Sequence, residues 1–183
     1  MRIGIDIDDT IVNTSEMCIN YVKKLDKKYG ENIKDIITDN IKNPVVTLFY
    51  DNYLYDVIAH AKLKEDAVKV INELYRDNEI YFITARSERF IKDVDNMTKN
   101  LLDSYNIKYN KIITGAGKKA ELCVENNIDL LIDDSIKHCT NLSNIGIDTL
   151  LFNSINNKDI ETNLKRVYNW NEVYDYVNLH KSS

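Results

Sequence analysis

Arg2-Ile3-Gly4-Ile5-Asp6-Ile7-Asp8-Asp9-Thr10 is the stretch from which the rest of the chain is read. An isoleucine-rich run with no polar break before its end is the mark of a strand buried on both faces, as in a parallel sheet. The acids at its end then face solvent. Runs of the same kind recur at Ile80-Tyr81-Phe82-Ile83, Ile112-Ile113, Ile128 to Ile132 and Ile147 to Phe152. Between them lie helical stripes: Ala67, Val70, Ile71, Leu74 and Tyr75, then Phe90, Ile91, Val94, Met97, Leu101, Leu102 and Tyr105, then a helix from about Lys119 to Glu125. Strands alternating with helices predict an α/β fold, a Rossmann-like parallel sheet with helices on both faces joined by right-handed crossovers.

At the two ends of the chain, Asn13-x-x-Glu16 and Asn169-x-x-Glu172 have capping-box spacing. The first predicts a helix with Cys18, Tyr21, Val22, Leu25 and Tyr29 on one face and a stop at Gly30; the second predicts a terminal helix bearing Val173 and Val177. Residues 31–61 are less regular and hold Pro44, Phe49, Tyr50, Tyr53 and Tyr55. Residues 14–61 are far longer than the ~4 to 6 residues of an ordinary connection. They are expected to form a small helical cap inserted after the first strand, leaving 1–13 and 62–183 as the core. Such a lid would exclude water and contact substrate. Phe49 and Tyr53, four apart, would share one helical face, and they are the candidates for a substrate wall.

With 183 residues, 44% hydrophobic, the chain fits one domain carrying a small insertion. A balance of 24 basic to 29 acidic residues, net -5, argues against a nucleic-acid polymer as partner. No apolar stretch approaches the ~20 residues that span a bilayer, so no membrane partner is expected. Asp6, Asp8 and Asp9 interrupt any apolar leader. Cys18, Cys123 and Cys139 lack metal-site spacing and read as reduced, buried thiols. A cytoplasmic location is expected.

Four expected strand ends carry unusual polar residues: Asp6 to Thr10, Thr84-Ala85-Arg86, Lys118-Lys119 after Thr114, and Asp133-Asp134-Ser135. Working groups in parallel sheets sit at the carboxyl ends of strands. The fold therefore gathers carboxylates, a hydroxyl and an ammonium into one cleft. Clustered carboxylates repel unless a cation sits among them, and an all-oxygen set suits Mg²⁺. Metal-assisted phosphoryl chemistry on a small phosphate monoester follows, with Asp6 available as a carboxylate nucleophile.

The ordered set Asp6-Ile7-Asp8-Asp9-Thr10, Ile83-Thr84-Ala85-Arg86, a lysine before a helix and Leu131-Ile132-Asp133-Asp134-Ser135 resembles the four motifs of haloacid dehalogenase (HAD) superfamily phosphatases. Within them the chain is similar to the 5'(3')-deoxyribonucleotidase (cytosolic type C) family and to bacterial nucleotidases, through Ile3 to Ile11, Tyr81 to Arg86, and Arg166-Val167 with Trp170-x-Glu172. The resemblance implies Asp6 as attacking carboxylate and Asp8 as general acid, then base, titrating near working pH. It implies Mg²⁺ held by the Asp6 side chain, the Asp8 carbonyl and Asp133, with Asp134 close by. Thr84 and a lysine would bind the phosphoryl oxygens. Both Lys118 and Lys119 are open, with Lys119 favoured by the relatives' pattern. A (deoxy)nucleoside monophosphate is the implied substrate. The alternatives are a sugar phosphate or other metabolite, or a regulatory module that binds phosphate without turnover.

Gly115-Ala116-Gly117-Lys118-Lys119 is not a P-loop, because Ile112 stands at the first glycine and Lys119 at the Ser/Thr. His60, His138 and His180 are isolated in sequence and receive no role, and Arg86 is left unassigned.

Overall fold

A computed structural model describes residues 1–29, 44–89 and 91–181. Its framework is a six-stranded sheet in which every pairing is parallel: β1 (Arg2–Ile5), β2 (Glu79–Ile83), β3 (Lys111–Ile113), β4 (Leu130–Asp133), β5 (Asp148–Phe152) and β6 (Arg166–Val167). The order is β3-β2-β1-β4-β5-β6. The chain builds outward from β1 through β2 to β3, then crosses back to β4 on the other side of β1. That reversal makes the carboxyl end of β1 the switch point, where an open parallel sheet leaves its crevice. Register fixes what meets there: Ile5 pairs with Phe82 on one side and Ile132 on the other, and the Asp6 N–H extends the second ladder by donating to the Ile132 carbonyl at 2.9 Å.

Strand residues Ile3, Ile5, Ile80, Phe82, Leu130, Ile132 and Leu150 are buried and form the main core with Val70, Ile71 and Leu74 of α4 (Ala67–Leu74) and Trp170, Val173 and Val177 of α8 (Trp170–Lys181). α5 (Val94–Ser104) starts later than its apolar stripe predicts, after Asp93 at φ 55°, and Phe90 lies outside the described residues. α6 (Lys119–Glu125) and α7 (Ile136–Ser143) flank β4 in sequence. Neither α7 nor β6 is evident from periodicity: α7 is eight residues long and two of them are buried, and β6 is two residues long.

Between β1 and α4 lie α1 (Thr14–Tyr29), α2 (Pro44–Asn52) and α3 (Leu54–Ala59), the helical insertion after the first strand. Its core joins Val22, Leu25, Val45, Phe49, Leu54 and Ile58 to Ile91, Val94 and Met97, so it is anchored on the start of α5. Tyr21 meets Phe49 at 5.8 Å and Tyr53 at 5.0 Å between ring centroids. The Gly30 stop and most of the segment before α2 lie outside the described residues.

The two capping signals have different outcomes. Asn169 accepts from the Glu172 N–H at 3.0 Å while Glu172 accepts from the Tyr168 N–H at 2.9 Å, a reciprocal cap. At the start of α1 the Ser15 N–H instead donates to Asp9 Oδ1 at 2.9 Å, and the Ser15 hydroxyl donates to Asp9 Oδ2. Asp9 is in the left-handed region at φ 59°, a conformation that aspartate tolerates better than most residues. It turns back to serve the helix that Asn13 was expected to cap.

Candidate active site

Asp6 follows the last residue of β1, Asp133 ends β4, and Lys119 opens α6. Because β1 and β4 are adjacent and in register, their ends bring the two carboxylates together, and the lysine reaches between them. Lys119 Nζ donates to Asp6 Oδ1 at 2.7 Å and to Asp133 Oδ2 at 2.6 Å, with its side chain only 1% exposed. Lys118, the other open choice, is exposed and pairs with Glu121 at 3.3 Å. Of the two lysines, only Lys119 reaches the acids. A lysine carries three donors. Two are taken here, and among the described residues the third is left for another acceptor. Asp6 Oδ2 likewise has no hydrogen-bond partner among the described residues.

The acids outnumber their cation. Asp6, Asp133 and Asp134 each offer an oxygen within 4.8 Å of the others. Burial pushes the Asp6 carboxyl up, to about 7, with the repulsion of Asp133 and Asp8 adding to it against the pull of Lys119. Burial and the charges of Asp6, Asp133 and Asp9 push Asp134 up to about 8, although Ser154 donates to its Oδ2 at 3.0 Å. Asp133 goes the other way: burial opposes its charge, but His138, Lys119 and the Ser135 N–H hold it below the usual range. The Lys119 ammonium is disfavoured by burial and more than restored by Asp6 and Asp133, so it is held above its ordinary value. One ammonium among three carboxylates leaves a deficit of positive charge, the condition that a divalent cation relieves.

On the other side of β1, Asp8 meets a different partner. Arg86, in the loop after β2, donates from Nε to Asp8 Oδ2 and from Nη2 to Asp8 Oδ1, both at 2.8 Å, and the Thr14 hydroxyl donates to Oδ1 at 2.5 Å. Burial alone would raise the Asp8 carboxyl, but the Arg86 charge and these hydrogen bonds outweigh it and hold it below the ordinary range. Against the expectation that Asp8 titrates near working pH, this fork shifts its carboxyl the other way, toward the ionised form. Thr84 is fully buried beside it, and its Oγ1 accepts the Arg86 N–H at 3.2 Å. Among the described residues, no hydrogen bond joins Thr84 directly to Asp6, Lys119 or Asp133.

Phe49 is corrected too. It is 1% exposed and closed into the helical insertion between Tyr21 and Tyr50, so its ring is used in packing and presents no wall to a substrate. Tyr53 is half-buried against Tyr21 and keeps an accessible edge.

Several groups at the site escaped the sequence reading. His138 Nδ1 lies 3.3 Å from Asp133 Oδ2, one turn into α7. The signal for it was present: Ser135 caps that helix by accepting the His138 N–H at 3.4 Å, which turns the histidine back toward the acids. From the loop after β5, Asn157 Nδ2 donates to the Asp134 carbonyl at 2.7 Å and Asn156 Nδ2 donates to Asp9 Oδ2 at 3.0 Å. No local pattern marks these. A cavity of about 240 Å³ opens beside Lys119, lined by Gly117, Lys118, Lys137, His138 and Asn141 among others. A larger one, about 550 Å³, lies at the amino ends of the strands around Arg2, Glu79 and Asp129, on the edge opposite the acids.

A switch-point sheet with two aspartates after β1, a threonine after β2, a buried lysine opening a helix and an Asp-Asp pair ending β4 defines a HAD-type hydrolase. The fold is shared with solved members of that class. A HAD-like hydrolase from Streptococcus pneumoniae matches with a TM-score of 0.67 at 16% identity, over 96% of this chain and 97% of that one. A HAD-type hydrolase from Bacillus subtilis, bound to magnesium, matches with a TM-score of 0.61 at 16% identity, over 97% and 98%. More particularly, residues 1–182 match the family described as 5' nucleotidase, deoxy (pyrimidine), cytosolic type C protein, and the chain belongs to that family. A nucleotidase of Clostridium acetobutylicum is 31% identical over 183 residues, covering 97% of this chain and 93% of the relative. Membership makes the protein a phosphatase of HAD type. Among the described residues no helix is long and apolar enough to cross a membrane.

Proposed function

We propose that the protein hydrolyses a small deoxynucleoside or nucleoside monophosphate through an aspartyl-phosphate on Asp6, with Mg²⁺ bound. The observation that carries this reading is the buried trio of Asp6, Lys119 and Asp133 at the switch point, with Asp134 alongside. The oxygen-only donor set and its shortage of positive charge fit Mg²⁺. Asp6, Asp133 and the Asp8 carbonyl would hold the ion, with Asp134 acting through water. Bound there, Mg²⁺ neutralises charge on the phosphoryl oxygens.

Asp6 Oδ2 attacks phosphorus as the ester P–O bond breaks, and the departing alkoxide takes a proton from Asp8. Water then forms the new P–O bond, gives a proton back to Asp8, and the bond to Asp6 breaks, releasing inorganic phosphate and restoring the Asp6 carboxylate. Asp8 must be protonated for the first step. The dianionic phosphoryl group supplies the reason, since a like charge raises a neighbouring carboxyl pKa. Lys119 has one donor left for a phosphoryl oxygen, and Thr84 supplies a hydroxyl to another. Lys137 lines the cavity beside Lys119 together with Lys118 and its partner Glu121, and its ammonium favours an anionic ligand.

Residues 14–61 act as the lid over residues 1–13 and 62–183, with Tyr53 as the remaining aromatic contact for the leaving group. The family's description, cytosolic and deoxy, supports a deoxynucleotide substrate in the cytoplasm. A phosphate-release screen across nucleoside monophosphates and sugar phosphates, with Mg²⁺ and with chelator, tests the reading. Turnover of nucleotides that chelation abolishes is expected. Preference for sugar phosphates would move the substrate class, and metal-independent release would remove the ion.

A further inference from the structure

We infer that Arg86 is the positioning residue for Asp8: its guanidinium fork sets the plane of the Asp8 carboxylate and, together with the Thr14 hydroxyl, leaves a single lone pair, on Oδ2, open for proton exchange with substrate. This inference rests on the acid-base role proposed for Asp8 and adds the residue through which that role is controlled.

The geometry is specific. An ionised carboxylate offers about four lone-pair positions, two on each oxygen. Nε takes one on Oδ2, Nη2 takes one on Oδ1, and the Thr14 hydroxyl takes the second on Oδ1. Among the described residues only the second position on Oδ2 is unused, and Asp8 keeps 30% of its side chain accessible, enough to receive a ligand. Asp8 is thus aimed as well as paired.

Arg86 is itself immobilised. Its side chain is 2% exposed, and Nη1 lies against the Met97 sulfur at 3.9 Å, on the helix that also anchors the insertion. Its backbone N–H is tied to Thr84 Oγ1, and its carbonyl accepts the Gly115 N–H at 2.6 Å from the loop leading to Lys119. One arginine therefore touches Asp8 and Thr84 directly and holds the loop that carries Lys119. A planar fork fixes both position and rotation of a carboxylate, whereas an ammonium is a point charge that fixes neither.

The test compares two esters in single-turnover phosphoryl transfer with Mg²⁺ present: a deoxynucleoside monophosphate, whose alkoxide must be protonated, and 4-nitrophenyl phosphate, whose weakly basic phenolate leaves without a proton. Arg86→Gln and Arg86→Lys should slow transfer from the nucleotide by about 10²-fold or more, in the range of lost general-acid help, and transfer from the aryl ester by less than about tenfold. Equal losses on both esters would reduce Arg86 to a structural residue and overturn the inference.

Since Arg86→Gln leaves a partly buried carboxylate without its counter-charge and its fold is at risk, the neutral pair Asp8→Asn/Arg86→Gln is compared with Asp8→Asn alone. The two should agree within about threefold, because a residue acting only through Asp8 adds nothing once Asp8 is gone. A further tenfold loss in the double variant would overturn the inference. Wild-type protein that hydrolyses neither ester would sink the phosphatase chemistry and this inference together. Wild-type turnover with no selective effect at Arg86 would sink the inference alone.

Discussion

Two acid-base clusters flank the end of β1, and their charge balance differs. On the β4 side, three carboxylates lie around one ammonium that bonds Asp6 and Asp133, and Asp6 and Asp134 are pushed upward by burial and the charge of neighbouring carboxylates. On the β2 side, one carboxylate meets one guanidinium in a bidentate pair and is held low. Two residues apart in sequence, Asp6 and Asp8 are thus driven in opposite directions. The first cluster is incomplete without a cation and is suited to hold a metal and a phosphoryl group. The second is complete and is suited to hold one carboxylate in one orientation. The proposed first step needs the opposite states, Asp6 ionised and Asp8 protonated; a cation beside Asp6 and the phosphoryl dianion beside Asp8 would push each carboxyl that way.

The largest break in the comparison is Asp6→Asn, which keeps the shape of the first cluster and removes its nucleophile. Turnover should fall by a factor on the order of 10⁴ or more, in the manner of other covalent nucleophiles. Circular dichroism and the thermal midpoint should stay native, since the change removes a carboxylate that burial already disfavours. An Asp6→Asn protein with near-wild-type turnover would place the nucleophile elsewhere.

Lys119→Met removes the only ammonium hydrogen-bonded to Asp6 and Asp133 among the described residues. Without metal, the loss should be about 3–5 kcal/mol in urea unfolding, the usual cost of leaving buried charge unpaired. Mg²⁺ should restore more stability to this variant than it adds to wild type. An equal gain in both would mean that the acids do not bind the ion as a cluster.

In the helical insertion, Phe49→Ala empties a buried position. Other large-to-small changes of this kind cost about 3–5 kcal/mol, and the insertion should show it by faster amide exchange over α1 to α3 and α5. The ranking of nucleotides by kcat/KM should not move. A changed ranking with unchanged exchange would return Phe49 to the substrate wall. The smallest effect belongs to Asn156→Ala, which deletes two hydrogen bonds from the loop after β5 to Asp9 and to Ser15, each at 3.0 Å. About 1 kcal/mol of stability should be lost, with phosphoryl transfer changed by less than about threefold. A large loss of rate would tie that loop to the chemistry.

The legible and illegible parts of this molecule divide along a physical line. Strands buried on both faces leave continuous apolar runs, so β1, β2, β4 and β5 are visible in sequence, and parallel topology carries Asp6, Lys119 and Asp133 to one end of the sheet. What stayed hidden depends on register and on turns. Arg86 and Asp8 are 78 residues apart and meet only because β1 and β2 are neighbours. His138 returns toward Asp133 because a short capped helix turns it there. Aromatic spacing in the insertion is satisfied equally by a core and by a binding wall, and burial alone decides that Phe49 belongs to the core.

The most direct test of the central proposal is acid-quenched single turnover with an excess of protein over a phosphorus-labelled deoxynucleoside monophosphate, followed by mapping of the label on tryptic peptides. The proposed chemistry places the label, as an acyl phosphate, on the peptide carrying Asp6, before inorganic phosphate appears. Label should be absent from Asp6→Asn and persist longest where Asp8 is replaced. Phosphate released at full rate with no labelled peptide, or label on any other residue, would contradict it.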